Sequence, residues 1–214
     1  MGRPWDGGAH PLLSRGTRVY VEAGAQRAFA SAADWPGWCR SGKTEEAALQ
    51  ALAEYAPRYA PIAKLAKLDF PKDATSFDVV ERLKGNATTD FGAPGIPAGD
   101  ESKPKTAKET ERLASLVEAC WEYLDRIRAR APESLRKGPR GGGRDREKMY
   151  AHVLESEMGY ARQIGVRIKE PDRDALREAF RSRDKDAKWP LPYAMRRIAW
   201  HALDHAWEME DRIP

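Results

Sequence analysis

The sequence predicts an α+β module at the N-terminus, followed by an all-α, antiparallel four-helix bundle. Apolar residues alternate in short runs before residue 85, whereas they recur at intervals of three and four beyond residue 105. A stretch rich in Gly, Pro, Ser and Thr separates the two patterns. We therefore expect an α+β module over residues 15–85, a linker over 86–105 and a helical bundle over 106–212.

The module is expected to begin with a strand hairpin. Thr17 to Ala23 is rich in β-branched and aromatic residues, which favour strands. Gly24 marks a turn, and a weaker second strand is predicted from Ala25 to Ala32. The segment DWPGW, Asp34 to Trp38, contains a Pro-Gly pair and predicts a tight turn.

A helix follows the turn. Thr44 is a suitable N-cap, and the two glutamates after it place negative charge where the helix dipole favours it. Apolar residues then recur at helical spacing, and Pro57 and Pro61 are expected to end or break the helix. Phe77 to Leu83 is predicted to return as another strand.

Four helices are predicted in the second half. Their approximate bounds are Lys105–Arg130, Asp145–Ile164, Asp172–Ser182 and Pro190–Asp211. Each carries apolar residues along one face, which indicates that this face is buried. Short connections between helices of this kind favour an antiparallel bundle.

Composition limits the class of protein. Lys and Arg total 37 against 33 Asp and Glu, which gives a net charge of +4 and indicates a mixed-charge surface. Two cysteines, Cys39 and Cys120, cannot form a disulfide framework, and Cys120 is expected in the core. The chain lacks the ~18-residue apolar run of a membrane span. The first residues, MGRPWDGGAHPLLSRG, lack the apolar stretch of a secretory signal, so a cytoplasmic location is expected.

Seven basic residues suggest nucleic acid as a partner, but only weakly. They are Arg126, Arg128, Arg130, Arg136, Lys137, Arg140 and Arg144. Aromatic residues are not interleaved with them, as they are in single-strand binding surfaces. We therefore interpret the cluster as a solvated loop rather than a nucleic-acid site.

Three of the four histidines point to a metal site. His201 and His205 stand four residues apart in the last helix, so their side chains lie about 40° apart on one face. His152 lies on the apolar stripe of another helix. Three imidazoles that leave positions open are typical of a catalytic site for zinc, nickel, iron or manganese. His10, in the Gly/Pro-rich beginning, is expected to have no role.

Two alternatives stay open for these residues. The histidines could be hydrogen-bonded core residues, although three buried imidazoles would each need a partner. Glu155 and Glu208 stand near them and could orient an imidazole, act as an extra ligand or serve as a catalytic base. Each glutamate could equally be an ordinary solvated charge.

The helical half resembles a known superfamily. The segment HVLESEMGYARQIG, His152 to Gly165, together with HALDH, His201 to His205, is similar to the metal-binding motifs of DinB/YfiT-like four-helix bundles. This resemblance covers about residues 106–212 and implies that His152, His201 and His205 are metal ligands. It also implies a metal-dependent thiol S-transferase or isomerase that uses a low-molecular-weight thiol such as mycothiol or bacillithiol.

The first half has a resemblance of its own. The segment DWPGWCRSGKTEEAALQAL, Asp34 to Leu52, is similar to HicB-type antitoxins, which implies a small partner-binding α+β module. A HicB protein usually carries a DNA-binding tail, whereas here a helical half follows.

We therefore predict a metal-dependent transferase, with a small-molecule substrate and a low-molecular-weight thiol. Arg197 and Arg212 could hold the carboxylate of that thiol, although both could instead pair with Glu or Asp. The alternative is a non-catalytic interaction protein in which the metal braces the bundle and the first module binds a partner. A homodimer is also predicted, by analogy to the superfamily that the helical half resembles and because Trp121, Trp200 and Trp207 need cover.

Overall fold

The computed structural model describes residues 16–138, 143–182 and 187–214. It is an α+β protein in which a four-stranded sheet precedes most of the helices. The first part contains β1 Thr17–Ala23, β2 Ala28–Ala32, β3 Cys39–Gly42, α1 Glu45–Glu54, α2 Ala56–Leu65 and β4 Phe77–Lys84. The second contains α3 Ala87–Phe91, α4 Ala107–Arg130, α5 Arg146–Gln163, α6 Arg173–Arg181 and α7 Leu191–Asp211. The segment MGRPWDGGAHPLLSR, with His10, lies outside the described residues.

The sheet has the strand order β3-β2-β1-β4. β1 is antiparallel to β2 and parallel to β4, and β2 is antiparallel to β3. The predicted strands are confirmed, with a shorter second one. β2 begins at Ala28 because the N–H of Gly24 donates to the carbonyl of Arg27 and closes the turn between the strands. The four-residue strand β3 follows the DWPGW turn.

The helix cap predicted at Thr44 is confirmed, since its hydroxyl accepts the backbone N–H of Ala47. One proline prediction is correct and the other is wrong. α1 ends just before Pro57, but Pro61 lies inside α2 without ending it. Tyr59 and Ile62 on either side of Pro61 are both fully buried, and this packing holds the helix together across the missing N–H.

The DWPGW turn connects the sheet with the helices. Gly37 has φ +93, and a Cβ there would lie 2.8 Å from Leu203 Cδ1 and 2.9 Å from Cys120 Sγ. The turn is therefore lodged between α4 and α7, and only glycine fits. One hydrophobic cluster contains residues from the sheet, α1, α2 and α4 to α7. The division into a 15–85 module and a 106–212 bundle stays a prediction.

The segment 86–105, predicted as a linker, is packed against the rest of the molecule. The buried carboxylate of Glu22 on β1 accepts the backbone N–H of Ile96 at 3.0 Å. Further along, Glu101 receives two hydrogen bonds from Arg196 of α7, at 2.7 and 2.9 Å. Both members of this ion pair are buried, so the segment is anchored at the sheet and at α7.

The two longest helices, α4 and α7, run in the same direction. Near their C-terminal ends the hydroxyl of Tyr123 donates to Glu210 at 3.1 Å. Near their N-terminal ends Leu113 and Met195 line one cavity. The predicted antiparallel arrangement is therefore wrong for this pair, because the sequence pattern gives no helix direction. A DinB-like four-helix bundle as a whole stays a prediction.

The other two helices run against this pair. In α5, His152 packs against His205, whereas Tyr160, two turns later, packs against His201, one turn earlier in α7. In α6, Arg173 pairs with Asp125 of α4, and Arg181 pairs with Glu111. Both α5 and α6 are therefore antiparallel to their long neighbours.

The three tryptophans on which the homodimer prediction rests are covered within one chain. Trp121, Trp200 and Trp207 are 1%, 5% and 1% exposed, so they give no reason for a homodimer. The homodimer stays a prediction without that support. In the described part of the chain, no helix combines the length and apolar character needed to cross a membrane.

Four of the seven residues in the predicted basic cluster pair with carboxylates. Arg126 pairs with Glu122, Arg128 with Glu147, Arg130 with Glu210 and Lys137 with Asp145. Arg140 lies outside the described residues. Such pairing reduces the positive charge that these four residues offer to a phosphate backbone.

Candidate metal centre

The histidine triad, His152, His201 and His205, forms one cluster between α5 and α7. One ring nitrogen of each lies within 4.8 Å of those of the other two. The ring centroids are 5.0 Å apart for His152 and His201, 5.1 Å for His152 and His205, and 4.7 Å for His201 and His205. The three predicted ligands are thus close enough to hold a single ion.

Packing between α5 and α7 brings the triad together. Met149 and Val153, which flank His152 on α5, are 1% and 0% exposed, so this face of α5 is turned inward. His201 and His205 stand one turn apart on α7, which is buried along most of its length. The histidines therefore meet because two stand one turn apart on α7 and the third lies on the inward apolar face of α5.

Burial keeps two of the imidazoles neutral. Desolvation, followed by the charges of His205 and His152, lowers the pKa of His201 well below its usual 6.5. Desolvation, followed by the charge of Arg144, also lowers the pKa of His152. Both rings are therefore uncharged at neutral pH, with a nitrogen lone pair free to bind a metal ion.

His201 also carries a ring nitrogen without a partner. Its Nδ1 atom is buried, and no residue in the described ranges forms a hydrogen bond to it. If His201 only packed in the core, this buried nitrogen would be expected to have a hydrogen-bond partner. Three converging imidazoles, one of them with an unsatisfied nitrogen, suit a divalent ion of the zinc, nickel, iron or manganese type.

Glu208 is placed to orient His205. Its Oε2 atom lies 3.1 Å from Nδ1 of His205, which leaves Nε2 of that ring for a ligand bond. The hydrogen bond to His205 is the main reason why the pKa of Glu208 is lowered. Arg212 donates to the other Glu208 oxygen at 3.0 Å. A carboxylate on the distal nitrogen fixes the tautomer and orientation of a metal-binding imidazole.

The second predicted carboxylate is not brought into the cluster. Glu155 is exposed, and within the described ranges it makes no hydrogen bond to the triad. Its charge favours a higher pKa for His152, but desolvation acts the other way and is the larger effect. The structure thus separates two glutamates that the sequence could not distinguish.

The two predicted arginines are both buried, so neither is a solvated surface charge. Arg212 is 8% exposed and paired with Glu208. Arg197 is 6% exposed and lies over the rings of Tyr160 and Trp200, 5.3 and 4.8 Å from their centroids. Within the described part of the chain it has no carboxylate partner, and its Nε and Nη1 atoms form no hydrogen bond.

Residues that the sequence did not single out complete the surroundings. Tyr160 packs edge-on against His201, with ring centroids 5.8 Å apart. Its position eight residues after His152, on the same face of α5, is the signal that could have indicated it. Gly143 covers Arg212: a Cβ at Gly143 would lie 2.7 Å from the guanidinium, and its φ is +117. Nothing in the sequence indicates that contact.

No protein-family model matches the chain, and neither the curated proteins nor the solved structures contain a match to it.

Proposed function

We propose that the histidine triad binds one divalent metal ion and that the protein is a metal-dependent transferase of the DinB-like type, using a low-molecular-weight thiol. The observation that carries the proposal is the convergence of three imidazoles from two helices, with His201 Nδ1 left without a partner. A divalent ion at three imidazoles supplies Lewis-acid chemistry that lowers the pKa of a thiol towards neutrality.

The side chains around the triad suit that chemistry. Glu208 holds the His205 ring through Nδ1, and Arg212 holds Glu208 in turn. This chain of contacts keeps the ligand-binding nitrogen of His205 in place as charge changes at the site. We assign Glu208 to positioning, and Glu155 to the solvated surface.

Arg197 is the residue we assign to the thiol's carboxylate. A buried guanidinium without an anion is costly, and stacking on two aromatic rings offsets only part of that cost. Arg197 stands one helical turn before His201, and its charge contributes to the lowered pKa of that ring. A carboxylate bound at Arg197 would therefore bring the rest of the thiol beside the triad.

The experiment is a thiol-conjugation assay on metal-loaded protein. Mycothiol and bacillithiol would each be supplied with a chromogenic aryl chloride, and loss of the thiol and release of chloride would be followed. Turnover that disappears in His152→Ala supports the proposal. Arg197→Gln is expected to raise the thiol concentration needed for half-maximal rate about tenfold or more. If the protein binds metal but turns over neither thiol, the transferase assignment is wrong.

A second candidate is a non-catalytic protein whose metal braces the helices. It is favoured by one observation, that the triad joins α5 to α7. In that case metal would raise the melting temperature by mass action, and metal would still stabilise the Arg197→Gln protein. The partner would then bind the HicB-like part of the chain. The thiol assay and a thermal melt on the same protein separate the two candidates.

A further inference from the structure

A second cavity lies where the sheet half of the molecule meets the C-terminal end of α7. Its volume is about 520 Å³. Arg40 of β3 and Tyr55, between α1 and α2, form one side, while Trp207 of α7 and Arg212, directly after α7, form the other. We call it the junction cavity. It is separate from the triad, although Glu208 lines it as well as contacting His205.

Three residues of this lining carry buried donors with nothing to donate to. They are Arg40 through Nε, Trp207 through Nε1 and Arg212 through Nη2, none of which finds an acceptor among the residues that the structure describes. Leaving a buried donor unpaired costs free energy, and native proteins keep few such groups. Three of them around one cavity indicate that an acceptor belongs there.

Charge in the cavity favours an anion as that acceptor. The basic residues of the lining are Arg40, Arg136, Lys137 and Arg212, and the acidic residues are Asp204, Glu208 and Asp211. Asp204 is paired with Arg40 at 3.0 Å. Asp211 is neutralised from outside the lining by Arg58, at 2.9 Å. Glu208 is paired with Arg212, and Lys137 is paired with Asp145 from outside the lining. Arg136 has no carboxylate partner among the described residues, so the lining keeps a net positive charge.

The basic wall of the cavity is held in place before any ligand arrives. The N–H of Arg136 donates to the carbonyl of Arg212 at 2.9 Å, and Nε of Arg212 donates back to the carbonyl of Arg136 at 2.7 Å. Nη2 of Arg136 also donates to the carbonyl of Asp211 at 2.6 Å. Groups fixed in this way lose little conformational freedom when a ligand binds.

We propose that the junction cavity binds the oxyanion group, carboxylate or phosphate, of a small molecule, with Arg40, Trp207 and Arg212 as its donors. Guanidinium groups donate to both oxyanions with good geometry, and the indole N–H adds a neutral donor. The inference does not depend on metal binding or on transferase activity. It gives the sheet half a direct part in ligand binding, because Arg40 belongs to β3.

The test is calorimetric titration of chelator-treated, full-length protein, so that an anion cannot bind through a metal at the triad. Inorganic phosphate and malonate are the two probes, at constant ionic strength set by chloride. If phosphate binds saturably and malonate does not, the cavity binds a phosphate group. If malonate binds and phosphate does not, it binds a carboxylate. Binding of both supports the shared oxyanion chemistry. If neither probe binds saturably up to about 10 mM, the proposal is overturned.

Matched variants locate the binding. Arg40→Gln should weaken binding about tenfold, because it removes a charged donor of the cavity. Arg128→Gln is the control, since Arg128 also lies over a tyrosine ring, that of Tyr150, and also forms an ion pair, with Glu147, but neither Arg128 nor Glu147 lines the cavity. Its effect should stay within about twofold. Equal losses in both variants would overturn the proposal.

A second variant covers the case in which Arg40→Gln fails to fold, as judged by circular dichroism. Trp207→Phe keeps an aromatic ring next to Tyr55 but removes the indole N–H. It should weaken binding by about fivefold, as expected for the loss of one neutral donor. Unchanged affinity in a folded Trp207→Phe protein would exclude this donor set and so contradict the proposal.

Discussion

Nδ1 of His205 and Oε2 of Glu208 lie 3.1 Å apart, three residues from each other on α7. This contact decides which nitrogen of His205 faces the triad. It also distinguishes Glu208 from Glu155, which has the same chemistry and a similar distance along its helix from a triad histidine. The role of each glutamate can therefore be tested by one matched pair of substitutions.

Glu208→Ala should weaken metal binding by about 10-fold to 100-fold, as expected when the outer partner of a metal-binding histidine is lost. Glu155→Ala should leave the affinity nearly unchanged, because Glu155 is exposed and contacts no triad ring among the described residues. Competition with a chromophoric chelator measures both affinities. Equal effects of the two changes would show that Glu208 does not act through His205.

The metal-free protein should lose stability as the pH falls from about 7.5 to 5.5. In the unfolded chain His201 takes up a proton near pH 6.5, whereas burial keeps its pKa in the folded protein well below that value. The unfolded state then binds more protons, so acid favours it, by up to about 1.4 kcal/mol per pH unit for this group. Urea denaturation at several pH values measures the slope.

His201→Leu should flatten that dependence, since leucine does not titrate. His152 contributes in the same direction, because its pKa is also lowered. An unchanged slope in His201→Leu would mean that the pH dependence arises elsewhere in the molecule.

Gly37→Ala should destabilise the protein by about 3 kcal/mol or more, because it combines a left-handed backbone conformation with contacts at 2.8 and 2.9 Å to Leu203 and Cys120. Gly159→Ala is the control. A Cβ at Gly159, inside α5, would meet no atom within 4 Å, so this change should be neutral or stabilise by up to about 1 kcal/mol. Chemical denaturation of both variants checks the difference. A mild effect at Gly37 would mean that the turn is not lodged between α4 and α7.

Glu101→Gln should cost about 3 to 5 kcal/mol, since it leaves the buried guanidinium of Arg196 without its counter-charge. Glu45→Gln breaks the surface pair with Arg82 and should cost less than about 1 kcal/mol. Limited proteolysis gives a second measurement. Cleavage within 86–105 should become faster in Glu101→Gln only, and folded fragments after that cleavage would support the predicted division of the chain.

Local chemistry made most of the secondary structure predictable. Thr44 as a cap, the strand from Thr17 to Ala23 and the four later helices all follow from side-chain preferences within a few residues. The parallel course of α4 and α7 and the anchoring of 86–105 did not follow. They depend on contacts such as Arg196 with Glu101, which join residues 95 positions apart.

Part of the candidate site was also predictable from local sequence, and part depends on contacts between distant residues. His201 and His205 were predictable from spacing on one helix, and His152 from the apolar stripe of another. The lack of a carboxylate partner for Arg197 among the described residues was not predictable, because it depends on which residues from other parts of the chain the fold places around it. The junction cavity likewise combines Arg40 with Trp207, which no local pattern connects.

The central claim is that His152, His201 and His205 together bind one divalent ion, and elemental analysis of purified, untagged protein tests it most directly. Protein supplied with zinc, nickel, iron or manganese should retain one equivalent of metal after gel filtration. Each of His152→Ala, His201→Ala and His205→Ala should retain far less, because two imidazoles hold a divalent ion poorly. His10→Ala should retain the full equivalent. A native protein that retains no metal, or triad variants that retain a full equivalent, would contradict the claim.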